Sequence, residues 1–395
     1  MAREGLIDAL RGMALFGILA VNIQSFVWGI GAPSMGVFSE SSGLADKLTV
    51  FFTALLLEYK FYPIFCFCFG YGFALQTRRW AVLGVNVRDR FARRMNFMLF
   101  MGVLHGVLMW FGDILARYAV AGYILRRHVR KGPRALLTAT IFWLAVTVVA
   151  GIGLSLVGGT DSESLSAAAA QSERAQIDGQ RVFEIYTKAG YIDATTQRAD
   201  DFFTVMLTYI FVLPQVMLLF LLGALAAQLK LLRYPARYRA FWRRVLWIGV
   251  SVGLPINIAF AWSQVSSSSE PWTQPTAWQT LLALFAPLLA SAYVAAFALI
   301  CDTVPGKALI RCLVPAGRIA LTLYVSQSLL MMLLLNGFGM GLGGTLGQFE
   351  LFVIAVAVYL CLLAVAHMMQ HFAIPAPLEK LWRRYTYATE SRKKT

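Results

Sequence analysis

The chain has 395 residues, 58% of them hydrophobic and 14% charged, and a mean hydropathy of +0.64. A soluble domain carries roughly 25% charged residues and no repeated apolar runs of about twenty, so this composition excludes a soluble protein. The formal net charge of +15 sits in short clusters between apolar runs, which points to anionic lipid headgroups as its partner rather than nucleic acid.

The first apolar run extends from Gly5 to about Trp28 and has no small-residue cleavage site after it, so it reads as a retained helix. The loop Gly29–Lys47 has Lys47 as its only basic residue and is assigned outside. Helix two runs from Leu48 to Thr77, and Arg78, Arg79, Arg88, Arg90, Arg93 and Arg94 follow it on the inside. Helix three covers Met95–Phe111 and a short helix four Asp113–Leu125. The basic run Arg126–Arg134 returns the chain to the inside. Helix five is Ala135–Val157. The segment Gly158–Asp201 has eight acidic residues against four basic ones and faces out. Ala167–Arg174 within it reads as helical by propensity, and a connection of this length is expected to be a lid or a binding segment. Helices six to ten are Phe202–Leu229, Val245–Trp262, Ala277–Cys301, Leu313–Phe338 and Leu351–Phe372.

Lys and Arg alternate sides over all ten crossings. The expected fold is therefore an all-α, polytopic transmembrane bundle of about ten helices with both termini cytoplasmic. Its parts are an N-terminal membrane half (1–157), a periplasmic loop (158–201) and a C-terminal membrane half with a basic tail (202–395). No internal repeat is visible. Cys66 and Cys68 are too closely spaced for a zinc site, so no metal is expected, and the cysteines read as packing residues.

Charges inside a membrane helix cost roughly 2.5–3.5 kcal/mol each and mark function by default. In helix one, Asp8 can pair with Arg11 three residues on, and Arg11 and Asn22 share a helix face. In helix two, Glu58 and Lys60 are two residues apart and cannot pair on a regular helix. Pro63 removes a backbone donor and frees the Tyr59 carbonyl, so a broken helix around a polar cavity is expected. His105 is alone in an apolar run, and spacing alone reads it as hydrogen-bonded within the bundle. Asp113 precedes Arg117 by one turn, the favourable order for an ion pair. In helix nine, Arg318, Thr322 and Ser326 form one polar stripe, and Arg318 calls for an anion or a carboxylate.

These residues stand in ordered blocks. They are Leu6-Ile7-Asp8-Ala9-Leu10-Arg11-Gly12 through Asn22, Lys60-Phe61-Tyr62-Pro63-Ile64-Phe65 through Phe73, and His105 with Gly112-Asp113-Ile114-Leu115 and Tyr118. Further on come Glu184, Tyr186, Gly190, Tyr191 and Arg198, and then Ala316-Gly317-Arg318-Ile319-Ala320-Leu321-Thr322 with Tyr324, Gln327 and Ser328. Together they resemble the YeiB-like family of bacterial membrane proteins, which places the chain in the bacterial inner membrane as a multi-pass protein. That family is similar to a wider superfamily of transmembrane acyltransferases. Type 3 acyltransferases open with an Arg, ten residues and a His, where this chain has Arg11 and Asn22. The heparan-α-glucosaminide acetyltransferases also have Asn there and carry a catalytic His soon afterwards, whereas Gly29–Lys47 contains no histidine.

Two main readings follow. In the first, acyl-CoA is the donor substrate and no other cofactor is implied. His105 is the base, Asp113 orients it, Asn22 steadies an oxyanion, and Arg11, Arg318 and the inner-loop arginines hold the CoA phosphates. In the second, the protein carries a small anionic solute bound by Lys60, Arg117 and Arg318, with Glu58 or His105 coupling protons. A sensor or scaffold whose outer loop binds a partner is a third reading. Thr322 belongs to the expected substrate-binding set, and Lys60, His105 and Arg318 are expected to share one cavity.

Overall fold

A computed structural model describes residues 2–31, 43–128, 131–157, 178–266 and 276–391. Every element among them is helical. In chain order the main helices are α1 (Ala2–Asn22), α2 (Leu44–Leu56), α3 (Phe61–Val82), α4 (Val87–Leu108), α5 (Leu115–Leu125), α6 (Pro133–Val157) and α7 (178–188). They continue with α8 (Tyr191–Gln228), α9 (Arg239–Ile248), α10 (Leu254–Ser266), α11 (Thr276–Ile300), α12 (Val304–Arg318), α13 (Ala320–Leu335), α14 (Gln348–His371) and α15 (Pro377–Ser391). Six helical segments are long and apolar enough to cross a membrane, and a seventh counts if α11 and α12, bent by 116°, form one span. The protein is thus an integral, multi-pass membrane protein.

Helix α1 is the central element. It packs against α3, α12, α13 and α14, and Leu6, Leu10, Ala14, Leu15 and Leu19 are all buried. The closest approach is to α12, where a Cβ at Gly317 would collide with the Asp8 carbonyl. A second close pair joins α3 to α8, with Gly70 facing the Phe220 backbone and Gly223 facing that of Phe67. Small residues allow this approach, and membrane helices gain their association energy from such contact because lipid supplies no hydrophobic drive. By contrast α6 exposes Leu137, Ile141, Phe142 and Val149, the face that lipid would solvate.

Several expected boundaries move. Helix two is not continuous: α2 ends at Leu56 and α3 starts at Phe61, with Tyr59 at a left-handed φ of 58° between them. The expected break is real, but it precedes Pro63, which sits in the first turn of α3 where a helix leaves its N–H groups unbonded anyway. Helix nine is also two helices, because α12 ends at Arg318 and α13 begins at Ala320. Arg318 therefore does not share a helix face with Thr322 and Ser326. Helix seven contains a π-turn at Gly249–Gly253. Helix six starts earlier than expected: α8 has 38 residues, about 57 Å at 1.5 Å per residue, so its first turns extend beyond a bilayer core of roughly 30 Å. The helix expected at Ala167–Arg174 lies outside the described residues.

Candidate functional site

Two adjoining cavities open at the Asn22 end of α1. The first, about 270 Å³, is lined by Asn22, Ser25, Thr53, Glu58, Tyr59 and Tyr62, among others. The second, about 330 Å³, is lined by Asn22, Tyr62, Trp110, Arg117, Tyr118 and Tyr209, among others. Ile18, Asn22, Ser25 and Tyr62 border both. The helical turn Ser25–Trp28 follows α1, and its Ser25 hydroxyl bonds the Asn22 carbonyl at 2.6 Å and accepts the Trp110 indole N–H at 2.8 Å. Tyr62 donates its hydroxyl to Gln215 on α8. The Asn22 amide has no partner among the described residues and stands where the cavities meet.

A buried His–Asp pair lies next to the second cavity without lining it. Gly112 and Ile114 line the cavity and Asp113 lies between them. His105 on α4 is 2% exposed, and its Nδ1 lies 2.9 Å from Asp113 Oδ1. The other carboxylate oxygen accepts the Ala116 N–H at 2.7 Å and so caps α5. An ionised Asp113 can only accept, so it places the imidazole proton on Nδ1 and leaves the lone pair on Nε2. Nε2 is buried with no hydrogen-bond partner among the described residues. The imidazole packs against Tyr324, ring centres 4.8 Å apart, and edge-on to Trp110 at 6.4 Å. Tyr324 accepts the Ile114 N–H at 3.2 Å.

Arg117 does not pair with the Asp113 carboxylate as its spacing suggests. Its guanidinium instead donates to the carbonyls of Asp113 (2.7 Å) and Gly112 (2.5 Å). The reason is competition: His105 and the Ala116 N–H already occupy the carboxylate. Arg117 keeps its positive charge facing the cavity.

At the break between α2 and α3, the carbonyls that a helix C-terminus leaves unbonded are met one by one. Lys60 is 0% exposed and donates Nζ to the Ala54 carbonyl at 2.6 Å, and Tyr293 donates to that of Leu56 at 3.0 Å. Lys60 is therefore spent inside the fold and lines neither cavity. Glu58 lines the first cavity, with no ion pair or hydrogen bond among the described residues.

A separate cluster forms at the Asp8 end of α1. Arg11 donates to Asp8 at 3.2 Å and to the Cys68 carbonyl at 3.1 Å. Arg318, with its side chain 52% exposed, reaches the same carboxylate at 3.8 Å. The expected carboxylate partner of Arg318 is thus Asp8, and two guanidinium groups share one acid. Thr322 is occupied elsewhere, since it donates to Glu379 of α15 and accepts the Leu378 N–H at 3.3 Å. The expectation that Lys60, His105 and Arg318 share a cavity is not met, because none of the three lines either one.

The periplasm-assigned segment braces the rim of the second cavity through Asp201. Asp201 accepts from the Tyr186 hydroxyl of α7 (2.9 Å), from Gln197 (2.9 Å) and from the Ile30 N–H (3.4 Å), and Gly29 and Ile30 line the second cavity. Burial, then the Asp201 charge, pushes the Tyr186 hydroxyl well above the usual phenol range. Sequence reasoning missed Tyr62, Trp110, Tyr209 and Glu379 as functional or positioning residues. Tyr62 stands inside the quoted Lys60–Phe65 block, but nothing local marks Tyr209 or Glu379.

A family model described as "Protein of unknown function (DUF418)" matches residues 226–389. The chain is 28% identical over 411 residues to "Uncharacterized protein YeiB" of Escherichia coli (strain K12), covering 98% of this chain and 97% of that protein. It is 26% identical over 399 residues to "Uncharacterized protein YxaH" of Bacillus subtilis (strain 168), covering 98% and 94%. Both matches run nearly end to end, so over its whole length the chain is similar to these two proteins.

Proposed function

We propose that the protein is an acyltransferase of the bacterial inner membrane that moves an acyl group from cytoplasmic acyl-CoA to an acceptor on the periplasmic side. The observation that carries this reading is the buried His105–Asp113 pair: Nε2 has no partner among the described residues, and Asp113 sits between two residues that line a cavity bearing Arg117 and Asn22. In the reaction, an acceptor hydroxyl or amine attacks the thioester carbonyl as His105 Nε2 takes its proton. The Asn22 amide and Arg117 face the oxygen that gains charge. Collapse breaks the C–S bond, and the proton passes from His105 to the leaving thiolate. Both termini are then cytoplasmic, with about ten crossings. In this reading Tyr186 and Asp201 brace the rim of the site at Ile30, and Arg11 and Arg318 face the CoA phosphates. Arg11 and Asn22 are about 16 Å apart along α1, a span that suits an extended pantetheine arm.

The test uses purified, detergent-extracted protein and labelled acetyl-CoA. His105→Gln is expected to lower acyl-CoA turnover by about 10²–10⁴-fold, the worth of a general base, with an unchanged size-exclusion profile. A structural histidine would behave otherwise, since Gln can keep the hydrogen bond to Asp113. Full turnover in the Gln variant removes His105 from catalysis and the reading with it. One observation favours carriage of a solute instead: the broken α2–α3 segment places a carboxylate beside a cavity, as discontinuous helices do in transporters.

A further inference from the structure

The first cavity differs in chemistry from the second. Among the described residues its one charged lining residue is Glu58. That carboxylate is held on the turn between two half-helices, next to Tyr59, whose left-handed backbone conformation (φ 58°) is disfavoured by about 1–3 kcal/mol for a residue with a Cβ. Lys60 acts on it only at longer range, because its Nζ is committed to the Ala54 carbonyl. Three aromatic residues, Tyr59, Phe61 and Tyr62, line the same space. A half-buried carboxylate beside aromatic rings is the chemistry that holds an organic ammonium ion, which pairs with the charge and packs on ring faces. Beyond the aromatics, Asn22 and Ser25 border both cavities and offer hydrogen bonds at the junction.

We infer that the first cavity binds a small amino alcohol, with its ammonium group against Glu58 and the rings, and its hydroxyl turned toward Asn22. The inference rests on the acyl-transfer reading for the fate of that ligand: it is the acceptor, and its hydroxyl is the group acylated. Opposite charges then sort the two substrates, since Glu58 repels an anionic donor and Arg117 repels the cationic acceptor.

The experiment measures binding of choline, and of its neutral isostere 3,3-dimethylbutan-1-ol, to the purified full-length protein by calorimetry without acyl-CoA. The wild type is expected to bind choline at least about tenfold more tightly than the isostere. Glu58→Gln is expected to abolish that preference while leaving the isostere within about twofold. Equal affinity for both compounds in the wild type overturns the inference even if the variant does not fold. An unchanged preference in Glu58→Gln overturns it as well. His105→Gln is expected to keep the choline preference while losing turnover. A wild type that prefers choline but never consumes acetyl-CoA removes the acyl-transfer reading and leaves the ammonium site standing.

Discussion

Two of the helix breaks in this chain finish their exposed ends in opposite ways. Between α2 and α3 the open end is a helix C-terminus, which presents carbonyls and partial negative charge. The cation of Lys60 meets it, from only six residues away. Between α12 and α13 the open end is a helix N-terminus, which presents N–H groups and partial positive charge. The carboxylate of Glu379 meets it, accepting the N–H groups of Leu321 (2.9 Å) and Thr322 (3.1 Å) from 58 and 57 residues away. Ile319, at the N-cap position, has no side-chain oxygen to do this itself. The first break is a local device and the second a tertiary one, which docks the C-terminal helix α15 onto the bundle. That docking is reinforced by Arg94, stacked 3.9 Å from the Trp382 ring centre, and by Arg90 at 4.9 Å from that of Tyr387.

The sharpest way to break this comparison is at Lys60. Lys60→Met keeps the volume but removes a buried, charge-assisted bond to the Ala54 carbonyl, and it is expected to cost about 1.5–3 kcal/mol. A thermal melt of the extracted protein followed by size exclusion measures this, and an unchanged melt would show that the carbonyl needs no cation. Glu379→Gln keeps one acceptor and loses the charge, so about 1 kcal/mol is expected, the usual worth of a helix cap. Its effect is confined to the α13–α15 junction and is read as faster proteolysis of the C-terminal helix at an unchanged rate elsewhere. Uniform acceleration along the chain would contradict a local role. Pro63→Ala gives the smallest effect, within about 0.5 kcal/mol, because Pro63 lies in the first turn of α3, where no intrahelical bond is lost. A large loss there would return the cause of the break to the proline.

The same contrast between near and far partners runs through the candidate site. Asp8–Arg11 is a helix-spaced pair and was legible as such. His105 and Asp113 are joined by a tight turn after α4, and their meeting follows from the sequence once the turn is recognised. Arg117 shows the limit of spacing rules: its position one turn after Asp113 favours an ion pair, yet the carboxylate was already taken by groups that spacing does not count. The Arg318–Thr322–Ser326 stripe failed because one residue, Ile319, leaves the helical conformation and rotates the two halves apart.

Hydropathy by itself determined that this chain is a helical membrane protein, because the transfer free energy of each apolar side chain is local and sums along a run of about twenty residues. It also determined which polar residues must find partners, since each is costly in hydrocarbon wherever the chain leads. Only the tertiary structure decided who those partners are. It brought Glu58, Tyr62 and Asn22 around one cavity, Arg117, Trp110 and Tyr209 around its neighbour, and Glu379 to the end of α13. Those choices depend on which helices pack side by side. That packing follows from small residues such as Gly70, Gly223 and Gly317 fitting against particular backbones, a property of pairs of surfaces that no single stretch of sequence contains.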